Sequence, residues 1–359
     1  MYQALYRAFR PETFSELVGQ DHIVKILKNQ IASGTVGHAY LFCGTRGTGK
    51  TTTARLLAKA LNCTSGVERP CGQCEACRAI AAGTFIDVVE MDAASNNSVD
   101  DIRTLREEVN FPPAVGRTKV YIIDEVHMLS TQAFNAFLKT LEEPPASTVF
   151  ILCTTDPNKL PATILSRCIR LDFRRVPEKT IKELFVRICE KTGVAADDDA
   201  LSLLAGNADG SVRDGLSLLD RCISTGSRLT RDDVLFLLGM AGPETYIKMT
   251  QQVLSKDAAG ALTTFSEALS EGKEPLQFTR DWVEHFRNLM IIKNTEKPED
   301  ILNLSMENVA RLKAQAQATS MDSISECIRR LSQALADARW AAKPRILIEL
   351  AIIEMCSPQ

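Results

Sequence analysis

No uninterrupted apolar run of about 18 residues occurs anywhere in the sequence, which argues against a helix spanning a bilayer. The first residues, Met1 to Arg10, lack an apolar stretch followed by small residues at a cleavage site, so no secretory leader is expected. A cytoplasmic protein with no membrane partner follows as the expectation. Excess positive charge is also missing. Lys and Arg number 42 against 45 Asp and Glu, a net charge of −3, so the chain does not coat nucleic acid through bulk attraction. Any DNA contact must come from a local patch or from several subunits acting together. Internal repeats and low-complexity tracts are absent too.

What is present is the balance of an ordinary soluble globular protein, 45% hydrophobic and 24% charged. At 359 residues the chain suits two or three domains. Short β-rich apolar runs punctuate the first half at His38–Cys43, Ile86–Met91, Lys119–Ile123, Thr148–Cys153 and Cys168–Asp172. Helical patterns lie between them. One opens at Ser98, with Asp101 three residues on as a capping box and Ile102, Leu105 and Val109 on one face. Another opens at Ser130 and places Phe134, Phe137, Leu138 and Leu141 on one stripe. Strand alternating with helix predicts a parallel sheet covered on both faces. Strand signals stop after Val176-Pro177, and the remainder reads as two helical regions divided near Gly239.

The segment Gly44-Thr45-Arg46-Gly47-Thr48-Gly49-Lys50-Thr51 fits the Walker A pattern at every fixed position, after an apolar strand and before the helical stretch from Thr52. Glycines let the backbone curl its N–H groups toward phosphate oxygens, and the helix N-terminus adds favourable partial charge. Gly44, Gly47, Thr48, Gly49 and Thr52 are therefore expected around an ATP phosphate chain. Lys50 would reach the β- and γ-phosphates, and the Thr51 hydroxyl would ligate Mg²⁺. Lys119-Val120-Tyr121-Ile122-Ile123-Asp124-Glu125 is a buried strand ending in two carboxylates, where ligands of open α/β sheets bind. Asp124 suits the Mg²⁺ shell and Glu125 can polarise an attacking water, so hydrolysis is expected.

Four of the 11 cysteines cluster between Cys63 and Cys77: Cys63, Cys71, Cys74 and Cys77. In a cytosolic chain such spacing argues for metal rather than disulfides. Four thiolates can close a tetrahedral Zn²⁺ site with no position left for water, which makes it structural. An iron–sulfur cluster is the rival, but the fourth cysteine and proline of the ferredoxin run are missing.

Asp124-Glu125-Val126-His127 also spells a DExH helicase box, yet a helicase of that kind needs two α/β domains, and this chain has one. With the cysteine insert, Leu141-Glu142-Glu143-Pro144-Pro145 and Ser166-Arg167-Cys168 in one chain, the sequence closely resembles the gamma/tau subunits of bacterial DNA polymerase III, AAA+ ATPases of the replicative clamp loader. The specific motifs cover residues 1 to about 240; beyond them only helical character matches.

The resemblance implies an α/β P-loop AAA+ core with a zinc-binding insert over 1–176, a helical lid over 177–238 and an all-α oligomerisation collar over 239–359. It implies that either Thr154 or Thr155 is the sensor 1 residue reading the γ-phosphate, with Thr155 favoured. Arg167 would reach the ATP of a neighbouring subunit in trans. Arg213 would be the sensor 2 arginine, in the first turn of a helix capped by Ser211 and Asp214. Arg10, Pro11 and Val18 would line the adenine pocket from one side and Val212 from the other. Implied partners are delta and delta-prime subunits, further copies of the chain, the sliding clamp and primer–template DNA. Candidate DNA contacts are Ser98, Arg103 and Lys139; where some relatives carry basic residues at the start of the helix over 98–109, this chain has Asn96, Asn97 and Ser98. Two rival functions are a DNA-translocating AAA+ motor and a scaffold with nucleotide as a structural ligand.

Overall fold

The computed structural model describes residues 3–66, 68–224, 228–298, 301–302 and 306–357. The chain divides by packing into two compact units, Met1–Leu229 and Thr230–Gln359. The first begins with α1 (Leu5–Ala8) and α2 (Asp21–Ser33) and then alternates strand and helix: β1 (Ala39–Cys43), α3 (Lys50–Asn62), α4 (Glu75–Ala82), β2 (Val88–Asp92), α5 (Val99–Val109), β3 (Lys119–Asp124), α6 (Thr131–Glu142), β4 (Thr148–Thr154), α7 (Ala162–Leu165) and β5 (Ile169–Asp172). The five strands form one parallel sheet in the order β2-β3-β4-β1-β5. Residues of β1, β3 and β4 are almost wholly buried. That explains why they read as continuous apolar runs rather than alternating ones: helices cover both faces. One face packs around Phe42, Leu57 and Ile122, the other around Leu41, Tyr121, Phe137 and Phe150.

Register brings the functional ends together. Cys43 pairs with both Thr154 and Asp172, and Asp92 pairs with Asp124, so the strands finish level along one edge. The strand starts and stops fall within two residues of the expected runs. The capping box at Ser98 and Asp101 forms, and Ser130 caps α6 through the Ala133 N–H. Phe134, Phe137 and Leu141 of α6 are buried, whereas Leu138 is only half-buried.

A helical segment completes the first unit: α8 (Glu178–Thr192), α9 (Asp198–Asn207) and α10 (Val212–Ile223). The expectation that strands cease after residue 177 needs correction. Ala195–Ala196 (β6) and Arg228–Leu229 (β7) pair in parallel beside these helices. Two residues are too few to set up any apolar alternation.

The second unit is all-helical: α11 (Arg231–Leu238), α12 (Pro243–Leu254), α13 (Ala258–Ser270), α14 (Pro275–Asn294), α15 (Met306–Ala318), α16 (Met321–Ala338) and α17 (Pro344–Cys356). Its core gathers on α14, where Phe278, Trp282, Phe286 and Leu289 are buried at three- and four-residue spacing. The Trp282 indole N–H donates to Thr250 Oγ1 at 2.9 Å, and His285 shares a buried hydrogen bond with Gln315 at 2.9 Å. Among the described residues no helix is long and apolar enough to cross a membrane.

Candidate functional site

At the C-terminal edge of the sheet the loop from Gly44 to Gly49 joins β1 to α3, whose first residue is Lys50. Gly47 has φ +76°, a conformation costly to side-chain-bearing residues, and a Cβ there would collide with Ser211 Oγ. Gly44 lies so close to the Phe173 carbonyl that a Cβ could not be accommodated either. Gln20, fully buried, braces the loop: its amide donates to the Thr48 carbonyl at 3.3 Å and to the Arg174 carbonyl at 2.7 Å.

Lys50 is buried, and its ammonium donates to the carbonyls of Gly44 and Thr45 at 2.8 and 2.9 Å. Burial lowers its pKa, while the carboxylates of Glu125 and Asp124 act in the opposite sense. The Thr51 hydroxyl donates to Asp124 Oδ2 at 2.7 Å, and the Glu125 N–H donates to Asp124 Oδ1 at 2.9 Å. A hydroxyl and a carboxylate so paired, across the end of β3 from the helix start, are oxygen donors suited to Mg²⁺.

Glu125 sits at φ +46°, a left-handed conformation rare for a non-glycine residue and often found at functional sites. Its Oε2 accepts from the Thr155 hydroxyl at 2.9 Å and the Thr155 N–H at 3.2 Å, with His127 Nδ1 at 3.4 Å. Thr154, fully buried, instead meets His127 Nδ1 at 3.0 Å and accepts from the Asp156 N–H at 3.1 Å. The two threonines thus have distinct partners, and Thr155 is the one on Glu125.

A cavity of about 440 Å³ opens over this loop, within the range of small-molecule sites. Its lining includes Arg10, Pro11 and Val18, Val212 and Arg213, and Gly47 through Thr52 with Asp124 and Glu125. Gly44 and Thr155 are not among the residues that line it. Arg46, Asp92, Leu184 and Leu216 also line the cavity, and sequence reasoning passed over all four. The α10 end closes directly on the phosphate loop: the Val212 N–H donates to the Gly47 carbonyl at 3.1 Å. Ser211 caps α10 through the Asp214 N–H at 3.2 Å, and Arg213 lies 5.3 Å from the centre of the Tyr6 ring.

Arg167 is not brought to its own chain's cavity. It donates to Glu142 Oε1 at 2.5 Å and to the Thr163 carbonyl at 2.7 Å. Ser98, Arg103 and Lys139 are exposed and lie outside the cavity, Arg103 paired with Asp100 at 3.0 Å.

The thiol sulfurs of Cys63, Cys71, Cys74 and Cys77 all lie within 4.8 Å of one another. A tetrahedron with Zn–S bonds of about 2.3 Å has edges of roughly 3.8 Å, so the set is matched to one metal ion. The Cys74 N–H donates to Cys71 Sγ at 3.3 Å and the Cys77 N–H to Cys74 Sγ at 3.5 Å, contacts that favour thiolates. Burial opposes ionisation of Cys74, but hydrogen bonds from the Thr64 and Cys77 backbone outweigh it and bring the thiol down to about 6. Burial pushes Cys77 up to about 12. Such a mixture is relieved when a cation neutralises the set. Among the described residues no other His, Cys, Asp or Glu group is drawn together in this way.

Comparison with known proteins follows the same division of the chain. Residues 19–177 match the family model described as DNA polymerase III, delta subunit. Residues 180–228 match the DNA polymerase III clamp loader subunit ATPase lid domain, and 229–359 match domain III of DNA polymerase III subunits gamma and tau. The chain is 43% identical over 360 residues to DNA polymerase III subunit tau of Bacillus subtilis, covering 99% of this chain and 63% of that protein. It is 37% identical over 363 residues to DNA polymerase III subunit gamma of Buchnera aphidicola, covering 99% of each. The chain belongs to the DNA polymerase III gamma/tau family. Against Escherichia coli tau it is 45% identical over 275 residues, 76% of this chain and 43% of that one. The chain therefore spans between 43% and 63% of the length of these two tau relatives. A solved Thermotoga maritima RuvB mutant superposes with TM-score 0.50 at 19% identity, over 69% of this chain and 80% of that one, a likeness of fold. The gamma/tau architecture here is a parallel α/β sheet of AAA+ type, a helical lid and an all-α C-terminal region.

Proposed function

We propose that the chain is the ATP-hydrolysing subunit of a cytoplasmic replicative clamp loader, in which ATP binding and hydrolysis open a sliding clamp and load it on primer–template DNA. The observation that carries this reading is the convergence of Thr51, Asp124 and the Thr155-bound Glu125 on a cavity roofed by Arg213, in a gamma/tau chain. The segments 1–176, 177–238 and 239–359 serve as nucleotide core, lid and collar.

ATP is the substrate. Its adenine lies between Arg10, Pro11 and Val18 on one side and Val212 on the other, and its phosphates take the N–H groups of the glycine loop and α3 start. Lys50 releases the Gly44 and Thr45 carbonyls to meet the β- and γ-phosphates. Thr51 and Asp124 would hold Mg²⁺, which when bound neutralises phosphate charge as the leaving group departs. Glu125 orients and polarises the water, with Thr155 fixing its carboxylate near the γ-phosphate. Arg213 adds positive charge from the lid. Arg167 leaves Glu142 to enter the site of a neighbouring subunit, stabilising transition-state charge in trans. Zn²⁺ on the four cysteines is structural. Delta and delta-prime subunits and further copies of the chain complete the assembly. Ser98, Arg103 and Lys139 face the DNA backbone inside it.

The test is ATP turnover by this chain reconstituted with delta and delta-prime, with and without primer–template DNA and clamp. Stimulation requiring both, abolished by Arg167→Ala while ATP still binds, is the expected result. Strong turnover by the chain alone on DNA, indifferent to clamp, would overturn the reading in favour of a motor. Clamp loading that survives Lys50→Ala would make the nucleotide a structural ligand.

A further inference from the structure

A second cavity, of about 520 Å³, lies beside the nucleotide cavity and shares Arg10, Pro11 and Thr52 with it. Its lining is strongly basic. Thr52, Arg55, Leu56 and Lys59 stand at three- and four-residue spacing on one face of α3, so this face turns toward the cavity. Arg7 and Arg10 face it from the N-terminal segment. Four cationic side chains thus line the space, against the single carboxylate of Glu12.

Lys59 is the informative residue. It is only 4% exposed, yet among the described residues no hydrogen bond or ion pair reaches its ammonium. Burying an unpaired ammonium is expensive, and replacing it with an apolar residue would ordinarily be an improvement. Carbonyls in the last turn of α3 offset part of this cost by helix-end attraction for a cation. The Lys59 nitrogen is also absent from the sealed polar atoms lacking partners, which are Tyr121 Oη and Thr140 Oγ1. Its stem is therefore enclosed while its tip opens into the cavity. Arg55 is committed to Glu90 by two 2.7 Å hydrogen bonds. Arg7 and Arg10 form no ion pair among the described residues, which leaves three uncompensated cations around one space.

We infer that this cavity is an anion site, separate from the phosphate loop, for a small molecule bearing a phosphate or pyrophosphate group. Guanidinium pairs recognise phosphate oxygens through two parallel hydrogen bonds, and a lysine adds a point charge. One carboxylate would leave the three cations under-compensated; a doubly or triply charged anion matches them. Because Arg10, Pro11 and Thr52 form a wall common to both cavities, the occupant and the nucleotide each alter the other's affinity by an equal factor. This inference does not depend on clamp loading.

The experiment titrates inorganic pyrophosphate into the full chain saturated with ADP and excess Mg²⁺, read by calorimetry. Single-site binding is expected, weakened about tenfold or more in both Lys59→Met and Arg7→Gln, with ADP affinity unchanged in each when pyrophosphate is absent. Arg7 is exposed, so its variant folds whatever becomes of Lys59→Met. The inference is overturned if pyrophosphate fails to bind the ADP-saturated chain. It is equally overturned if the two variants bind pyrophosphate as tightly as the wild type, since the anion would then be bound away from this cavity.

Discussion

Replacing Thr155 by Val removes the hydroxyl that donates to Glu125 Oε2 at 2.9 Å and leaves the longer backbone N–H bond at 3.2 Å in place. A hydrogen bond to a charged group contributes about 1.5–3 kcal/mol, and each 1.36 kcal/mol is a factor of about ten in rate. If the hydroxyl holds the carboxylate in the geometry that polarises water, turnover in the reconstituted complex falls about 10- to 150-fold. Thr155 does not line the nucleotide cavity, so ATP affinity stays within about twofold, and the loss resides in kcat. Thr155→Ser, which keeps a hydroxyl, restores most of the rate. The assay is steady-state phosphate release with DNA and clamp present, alongside equilibrium binding of a fluorescent ATP analogue. Unchanged turnover would refute the reasoning. A rise would refute it differently, by showing that the bond restrains Glu125 in an inactive position.

Arg167→Ala breaks a partly exposed pair with Glu142, so thermal stability of the isolated chain shifts by less than about 1 kcal/mol, while turnover of the assembly falls about a thousandfold or more. Calorimetry and phosphate release check the two halves separately. Metal analysis of the purified chain should find one zinc per chain, reduced in Cys77→Ser, and chelation should lower the melting temperature. For His285, burial lowers the pKa to about 4 from an ordinary 6.5, so between these values the unfolded chain binds a proton that the folded chain refuses. Stability of the second unit is therefore full above pH 6.5 and declines toward pH 4, by at most about 3 kcal/mol. Urea melts followed by Trp282 fluorescence should show this slope, reduced in His285→Gln. Asp281, whose carboxyl burial raises, works in the opposite sense in both proteins and cancels in the difference.

Legibility in the sequence tracked how local each cause was. The phosphate loop is legible because backbone curvature dictates glycine at fixed steps, and the caps at Ser98, Ser130 and Ser211 because each bond closes within three residues. The buried strands are legible because a sheet covered on both faces leaves no room for polar alternation. What depends on the fold bringing distant residues together was not. Thr154 and Thr155 are both polar at the end of β4, and only the approach of β3 decides which meets Glu125 and which meets His127. Nothing near Arg167 in sequence marks Glu142 as its partner, 25 residues away. The pairing of Ala195–Ala196 with Arg228–Leu229 is shorter than any period that could announce it. Helix α11 falls at the end of the segment 177–238 in sequence and groups by packing with the unit that begins at Thr230, a grouping no local pattern announces.

The same tertiary logic explains why the phosphate loop and α10 cannot be considered separately. The Gly47 carbonyl accepts from the Val212 N–H, and its bare Cα leaves room for the passage of Ser211, the residue that caps the helix carrying Arg213. Arg213 rests over Tyr6, which lines the same cavity as Arg10 and Val18. A ligand that pulls the loop N–H groups toward its phosphates must therefore move a carbonyl already bonded to the lid. Displacement of the lid in turn shifts the arginine and the aromatic wall. The nucleotide needs no distant relay to reach the lid: one backbone hydrogen bond and one glycine already join the two.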